Sequence, residues 1–264
     1  MTKKEQPKKI ETPKKENTLI KTIIKKREII KKSHEKIPTG IKNLDKITDK
    51  GFVKSSINMI VGGTGTGKSI FAIQFLIEGL KKKEPCLYIS FEERKEEVYA
   101  NMLKLGWDLE KYENQKKFFF LEYTPEKVKT MLSEGGGEIE TLVLTKNIAR
   151  IGIDSITAFT SLFTKETEKR NATLSFLELL RKWSSTVLLT YEKDPSTEKG
   201  NSSILEFEVD SIIALYSLRP KNKREKFLEI FKMRGTKHST EIFPFSIEKG
   251  GINLKCKPCK NIKL

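Results

Sequence analysis

Residues 62–69 read Gly62-Gly63-Thr64-Gly65-Thr66-Gly67-Lys68-Ser69, and no other run limits so sharply what this chain can fold into. It satisfies G-x-x-x-x-G-K-[ST], follows the apolar run 57–61 and opens a stretch with helical spacing. Glycines let backbone N–H groups wrap an anion, and the helix start adds partial positive charge. Lys68 then reaches terminal phosphates, and the Ser69 hydroxyl ligates Mg²⁺. Ile70 completes the expected nucleotide-binding set. The ligand implied is a nucleotide's phosphates with Mg²⁺.

The rest of the chain supplies a frame for such a loop. Short apolar runs at 57–61, 86–90, 118–123, 151–154 and 187–191 read as strands. The stretches 69–80, 95–105, 125–132 and 174–183 carry apolar residues at helical spacing. Parallel neighbours need crossovers of helix length, so this alternation predicts an α/β domain with a mainly parallel sheet flanked by helices. Beyond residue 210 the helices stop. Segments 211–218, 226–233 and 241–247 read as successive strands of an antiparallel extension. Segments 133–139 and 193–203 read as loops.

Two further groups complete a phosphate-transfer site. Asp154 ends an apolar strand, where a carboxylate can reach the metal; a residue so placed can equally cap the next helix. Glu92 and Glu93 follow the second strand and put two carboxylates at the same sheet edge. Either can orient or deprotonate a water, although acidic residues at a helix start are ordinary.

Charge is unevenly spread. Residues 1–36 hold 13 Lys+Arg against 5 Glu, half of the net +16. The first 17 residues have little to bury, and 18–33 reads as a basic amphipathic helix. Its expected role is packing on the main domain, or contact with a protein partner, nucleic acid or an anionic surface. No apolar run is long enough to span a membrane and no secretory signal is recognisable, so a cytoplasmic location is expected. Three cysteines are too few for a disulfide scaffold. Cys256-x-x-Cys259 alone lacks two of the four ligands of a zinc site. The few glutamines beside abundant Lys and Glu point to a thermophilic source.

Taken together, the motifs resemble the KaiC-like branch of the RecA superfamily of P-loop ATPases, from about residue 37 to 253. The matching blocks are Pro38-Thr-Gly-Ile-Lys-Asn-Leu-Asp45, the phosphate loop, Tyr88-Ile-Ser-Phe-Glu-Glu-Arg94, Leu105-Gly-Trp-Asp-Leu109, the Asp154 strand and Phe231-Lys-Met-Arg-Gly-Thr-Lys-His-Ser239, then Phe243-Pro-Phe-Ser-Ile247. The resemblance implies an ATPase domain at 37–255, with a basic tail at 1–36 and another at 256–264. It also implies a homo-oligomeric ring, taken as a hexamer, in which neighbouring copies share each nucleotide. Lys232 and Arg234 would then reach the γ-phosphate held by the next subunit, Thr236 and His238 would lie near the same nucleotide, and Glu92–Glu93 would hold the water activator. On charge alone, Lys232 and Arg234 read as ordinary strand-end surface residues.

Clock members of the family carry two such domains per chain, and this chain has one. At the positions of their Ser–Thr phospho-acceptor pair it carries Glu206 and Phe207, which have no hydroxyl, so clock-type autophosphorylation is not expected there. Alternative functions are a nucleotide-controlled assembly module with negligible turnover, and a recombinase-like DNA-binding ATPase.

Overall fold

In a computed structural model of the chain, residues 35–124, 126–127, 130, 137–195, 204–219 and 223–259 are described. The basic helix expected at 18–33, most of the helix expected at 125–132 and most of both expected loops lie outside them. A small ribbon pairs β1 (Lys36–Ile37) with β2 (Phe52–Val53) around α1 (Leu44–Ile47). The main run is β3 (Ile57–Gly62), α2 (Lys68–Lys81), β4 (Cys86–Ser90), α3 (Lys95–Lys104), α4 (Leu109–Asn114), β5 (Phe118–Glu122) and α5 (Gly137–Lys146). It continues through β6 (Arg150–Asp154), α6 (Ile156–Thr160), α7 (Glu166–Lys182), β7 (Thr186–Glu192) and α8 (Ile204–Glu208). Four strands close it: β8 (Ser211–Leu218), β9 (Glu225–Met233), β10 (Phe243–Glu248) and β11 (Gly251–Leu254).

The nine-stranded sheet has the order β11-β10-β9-β8-β3-β7-β6-β4-β5. From β8 to β5 every pairing is parallel; from β8 to β11 every pairing is antiparallel. The expected architecture is borne out, with one correction. Strand β8 pairs parallel with β3 and belongs to the parallel part, so the antiparallel extension begins one strand later, at β9. Strand periodicity cannot reveal this, because an apolar run reads alike in either pairing.

All six residues of β3 are buried, as a strand covered on both faces requires. Successive side chains serve different cores: Ile60 belongs to the one that holds Phe71, Phe75 and Leu76 of α2, while Met59 and Val61 belong to the one that holds Val143 of α5 and Phe176 and Leu180 of α7. Trp107, Phe118 and Phe159 are buried in the core, and Phe119, Phe120 and Phe163 pack against it. The Pro38–Asp45 block is a local latch: Asp45 accepts bonds from the Thr39 N–H at 2.9 Å and hydroxyl at 2.7 Å. The Pro38 carbonyl accepts from buried Arg150 at 2.9 Å. Among the described residues no helix is long and apolar enough to cross a membrane.

Candidate functional site

Parallel pairing sets the C-terminal ends of β3, β7, β6 and β4 side by side. Open α/β sheets bind ligands at this edge. The phosphate loop leaves β3 there. A Cβ on Gly62 would stand 2.7 Å from both the Leu215 carbonyl oxygen and the Thr66 hydroxyl, so only glycine lets β8 and the loop approach so closely. Gly67, at φ 109°, turns the chain into α2 through backbone space that other residues rarely enter. Around Gly63 and Gly65 an added Cβ would meet nothing within 4 Å. The Thr66 hydroxyl ties the loop to the Gly63 carbonyl at 2.8 Å. Lys68 Nζ bends back to the carbonyls of Gly62 and Gly63, both at 3.0 Å. Burial lowers its pKa, opposed by the Glu192, Asp154 and Glu92 carboxylates that face it. Ser69 is half-buried at the head of α2, and Ile70 packs against the core.

Asp154 stands two strands from the loop, at the end of β6. Its carboxylate accepts the Tyr88 hydroxyl at 2.6 Å and the Thr190 hydroxyl, which hold it in one orientation. Burial and the neighbouring Asp154 raise the Tyr88 pKa well above its ordinary value, so Tyr88 stays a donor. One strand further, the Ser90 hydroxyl closes a turn on the Glu93 backbone at 2.6 and 3.0 Å, placing Glu92 and Glu93 over the same edge. The Glu92 carboxylate accepts the Ser155 hydroxyl. Glu93 has a raised pKa, through burial first and then Asp154, Glu97 and Glu92.

Lys232, Arg234, Thr236 and His238 form a separate group. Lys232 is level with Ile212 and Met59, and the Arg234 N–H bonds to the Asp210 carbonyl beside Ile57. Counting residues back from Gly62, Lys232 lies about 10 Å and Arg234 about 16 Å down the strands from the phosphate loop. Lys232 Nζ donates to the Glu206 and Phe207 carbonyls at 2.8 and 3.0 Å, and Arg234 donates to that of Phe207. Gly235, at φ 62°, begins the turn in which the Thr236 hydroxyl accepts from Lys36 and the His238 ring lies 3.1 Å from the Thr236 carbonyl.

Residues 37–258 match the family model described as "ATPase: KaiC". The chain belongs to the KaiC family of ATPases. The circadian clock protein KaiC3 of Synechocystis sp. is 31% identical over 227 residues, covering 83% of this chain and 45% of that protein. The circadian clock oscillator protein KaiC of Acaryochloris marina is 30% identical over 230 residues, covering 83% and 44%. The chain thus spans less than half the length of these relatives. The solved structure of a KaiC-like protein from the hyperthermophilic archaeon Pyrococcus horikoshii OT3 matches with a TM-score of 0.75 at 30% identity, covering 84% of this chain and 99% of that one.

In this KaiC-family chain three residues at the site carry no local sequence signal. Glu192 accepts the Thr64 hydroxyl. Lys226, from β9, donates to the Gly65 carbonyl. Thr190 holds Asp154. Each is an unremarked strand residue until the strand order is known. The donor set fits Mg·ATP: unpaired N–H groups at the head of α2 and Lys68 suit phosphates, and the Ser69 hydroxyl and Asp154 carboxylate are hard oxygen ligands. Among the described residues no group of three or more His, Cys, Asp or Glu can hold a metal ion. The same observation leaves Cys256, exposed, and Cys259, packed on the core, without a zinc site among those residues.

Proposed function

We propose that this chain binds Mg·ATP in the loop 62–69 and hydrolyses it at a site shared between two copies, within a ring taken as a hexamer whose working unit is the ATPase domain at 37–255. One observation carries this reading: β9 brings Lys226 to the chain's own loop but carries Lys232 and Arg234 to the opposite end of the sheet. Two phosphate-seeking cations so placed serve a nucleotide held by another molecule. Phe207 and Phe231, adjoining this group in sequence, are 61% and 47% exposed, as a surface covered on assembly would be.

In this reading the backbone N–H groups of the loop wrap the phosphates and Lys68 turns from its carbonyls to the terminal phosphoryl group. Ser69 and Asp154 would hold Mg²⁺, which would neutralise charge on the transferred group. Glu92 or Glu93 orients and deprotonates water. Lys232 and Arg234 enter from the neighbour and stabilise the charge that develops, with Thr236 and His238 beside the same nucleotide. The test is light scattering after size exclusion, with and without Mg·ATP, while phosphate release is followed. Release that tracks assembly and vanishes in the monomer supports the reading; full release by the monomer contradicts it.

A second reading, assembly controlled by ATP with negligible turnover, draws on the internal bonds that occupy Glu92, Lys232 and Arg234. Protein that retains ATP unhydrolysed for hours while its oligomeric state follows the nucleotide would favour it.

A further inference from the structure

Two residues stand between Lys232 and the phosphate loop of the same chain. Lys232 Nζ donates to the Glu206 carbonyl at 2.8 Å. The Glu206 carboxylate pairs with Lys193 Nζ at 2.9 Å, and the two side chains are only 20% and 14% exposed. The Lys193 backbone N–H donates to the Gly62 carbonyl at 3.2 Å, the oxygen that also accepts Lys68 Nζ. The residue before Lys193 is Glu192, which accepts the Thr64 hydroxyl.

We propose that Glu206 and Lys193 are positioning residues that couple the phosphate loop of one chain to the nucleotide held by its neighbour. This rests on the shared-site reading above. A phosphate adds the attraction of opposite charges to the hydrogen bond, which a neutral carbonyl does not, so a neighbour's phosphate draws Lys232 and Arg234 away from Glu206 and Phe207. Helix α8 has five residues and loses the cations that satisfied its last carbonyls. Glu206 lies within that helix, and its displacement breaks the pair with Lys193 and loosens the end of β7. The Thr64 bond to Glu192 then slackens, and the Glu192 carboxylate draws back from the loop, which leaves Lys68 to phosphate. A nucleotide on one copy therefore raises the affinity of the next.

The probe is a fluorescent, non-hydrolysable ATP analogue with Mg²⁺, titrated into the full assembled chain. The expected isotherm is sigmoidal, later sites binding about 5-fold or more tightly than the first. Glu206→Gln, which keeps the carbonyl and removes the charge, is expected to give a hyperbolic isotherm with assembly intact. Exchanging the pair, Lys193→Glu with Glu206→Lys, is expected to restore the sigmoid. A hyperbolic wild-type isotherm, a Glu206→Gln isotherm as steep as wild type, or a flat exchange variant in an intact assembly would each overturn the coupling. Failure of the shared site shows separately: Arg234→Ala would then keep full phosphate release.

Discussion

Lys226 and Lys232 stand on one strand and serve opposite ends of the sheet. Lys226 donates to the Gly65 carbonyl in its own phosphate loop, and Lys232 to the Glu206 carbonyl some 20 Å away, roughly six residues of extended chain. Their substitutions should therefore separate. Lys226→Ala is expected to weaken binding of an ATP analogue to dilute monomer by about 10-fold, the worth of a bond to a charged group. Lys232→Ala should not weaken monomer binding and should lower turnover in the assembly. Analogue titrations on dilute and assembled protein distinguish the two.

Glu92 and Ser155 give a second separation. With the Ser155 hydroxyl on the Glu92 carboxylate, Glu92→Gln is expected to cut the rate of phosphate release by about 10²–10⁴-fold. Ser155→Ala, which removes only the orienting bond, should cost about 10-fold. Analogue affinity should stay near wild type in both. A binding defect as large as the rate defect would place these residues outside the chemistry.

Gly79 lies inside α2, where alanine would ordinarily gain about 1 kcal/mol. Here an added Cβ would stand 2.7 Å from the Arg150 side chain and 2.9 Å from Cys86 Sγ. Arg150 cannot yield easily, because it is buried against Phe75 and bonded to Glu84 and to the Pro38 and Phe75 carbonyls. Overpacking wins, and Gly79→Ala should lower stability by about 1–3 kcal/mol in urea unfolding.

Burial raises the pKa of Asp45 above the usual carboxylate range, against the lowering effect of its Thr39 bonds. The folded state thus holds this proton more tightly than the unfolded chain. Its stabilising effect is present below the unfolded pKa of about 4 and is lost as pH rises from there through the raised folded value. Asn at this position has no such dependence. The melting temperature of Asp45→Asn minus that of wild type should grow as pH rises through this window and then level off; a difference that shrinks would contradict the assignment.

Much of this was legible in the residues. The loop 62–69 carries its chemistry in its own spacing, and the parallel strands are continuous apolar runs that any burial on two faces requires. Helix α7 begins at Glu166, eight residues before its apolar spacing shows, because its first turns are polar and largely exposed. Helix α5 begins at Gly137, at the end of a glycine run that reads as loop. Strand β11 hides behind the Gly250–Gly251 turn. At the site, the partnership of Glu192 with Thr64 and that of Lys226 with Gly65 span 128 and 161 residues. Such pairs follow from strand order, which no local pattern records.

The shared site is tested most directly by mixing two variants, each inactive alone: Lys68→Ala, which lacks the loop cation, and Arg234→Ala, which lacks the cation supplied to the neighbour. Where an Arg234→Ala loop meets the Arg234 of a Lys68→Ala neighbour, the site is whole. Random assembly forms about one such interface in four. Phosphate release by the mixture is therefore expected at about a quarter of the wild-type rate; a mixture as inactive as its components would contradict hydrolysis between copies.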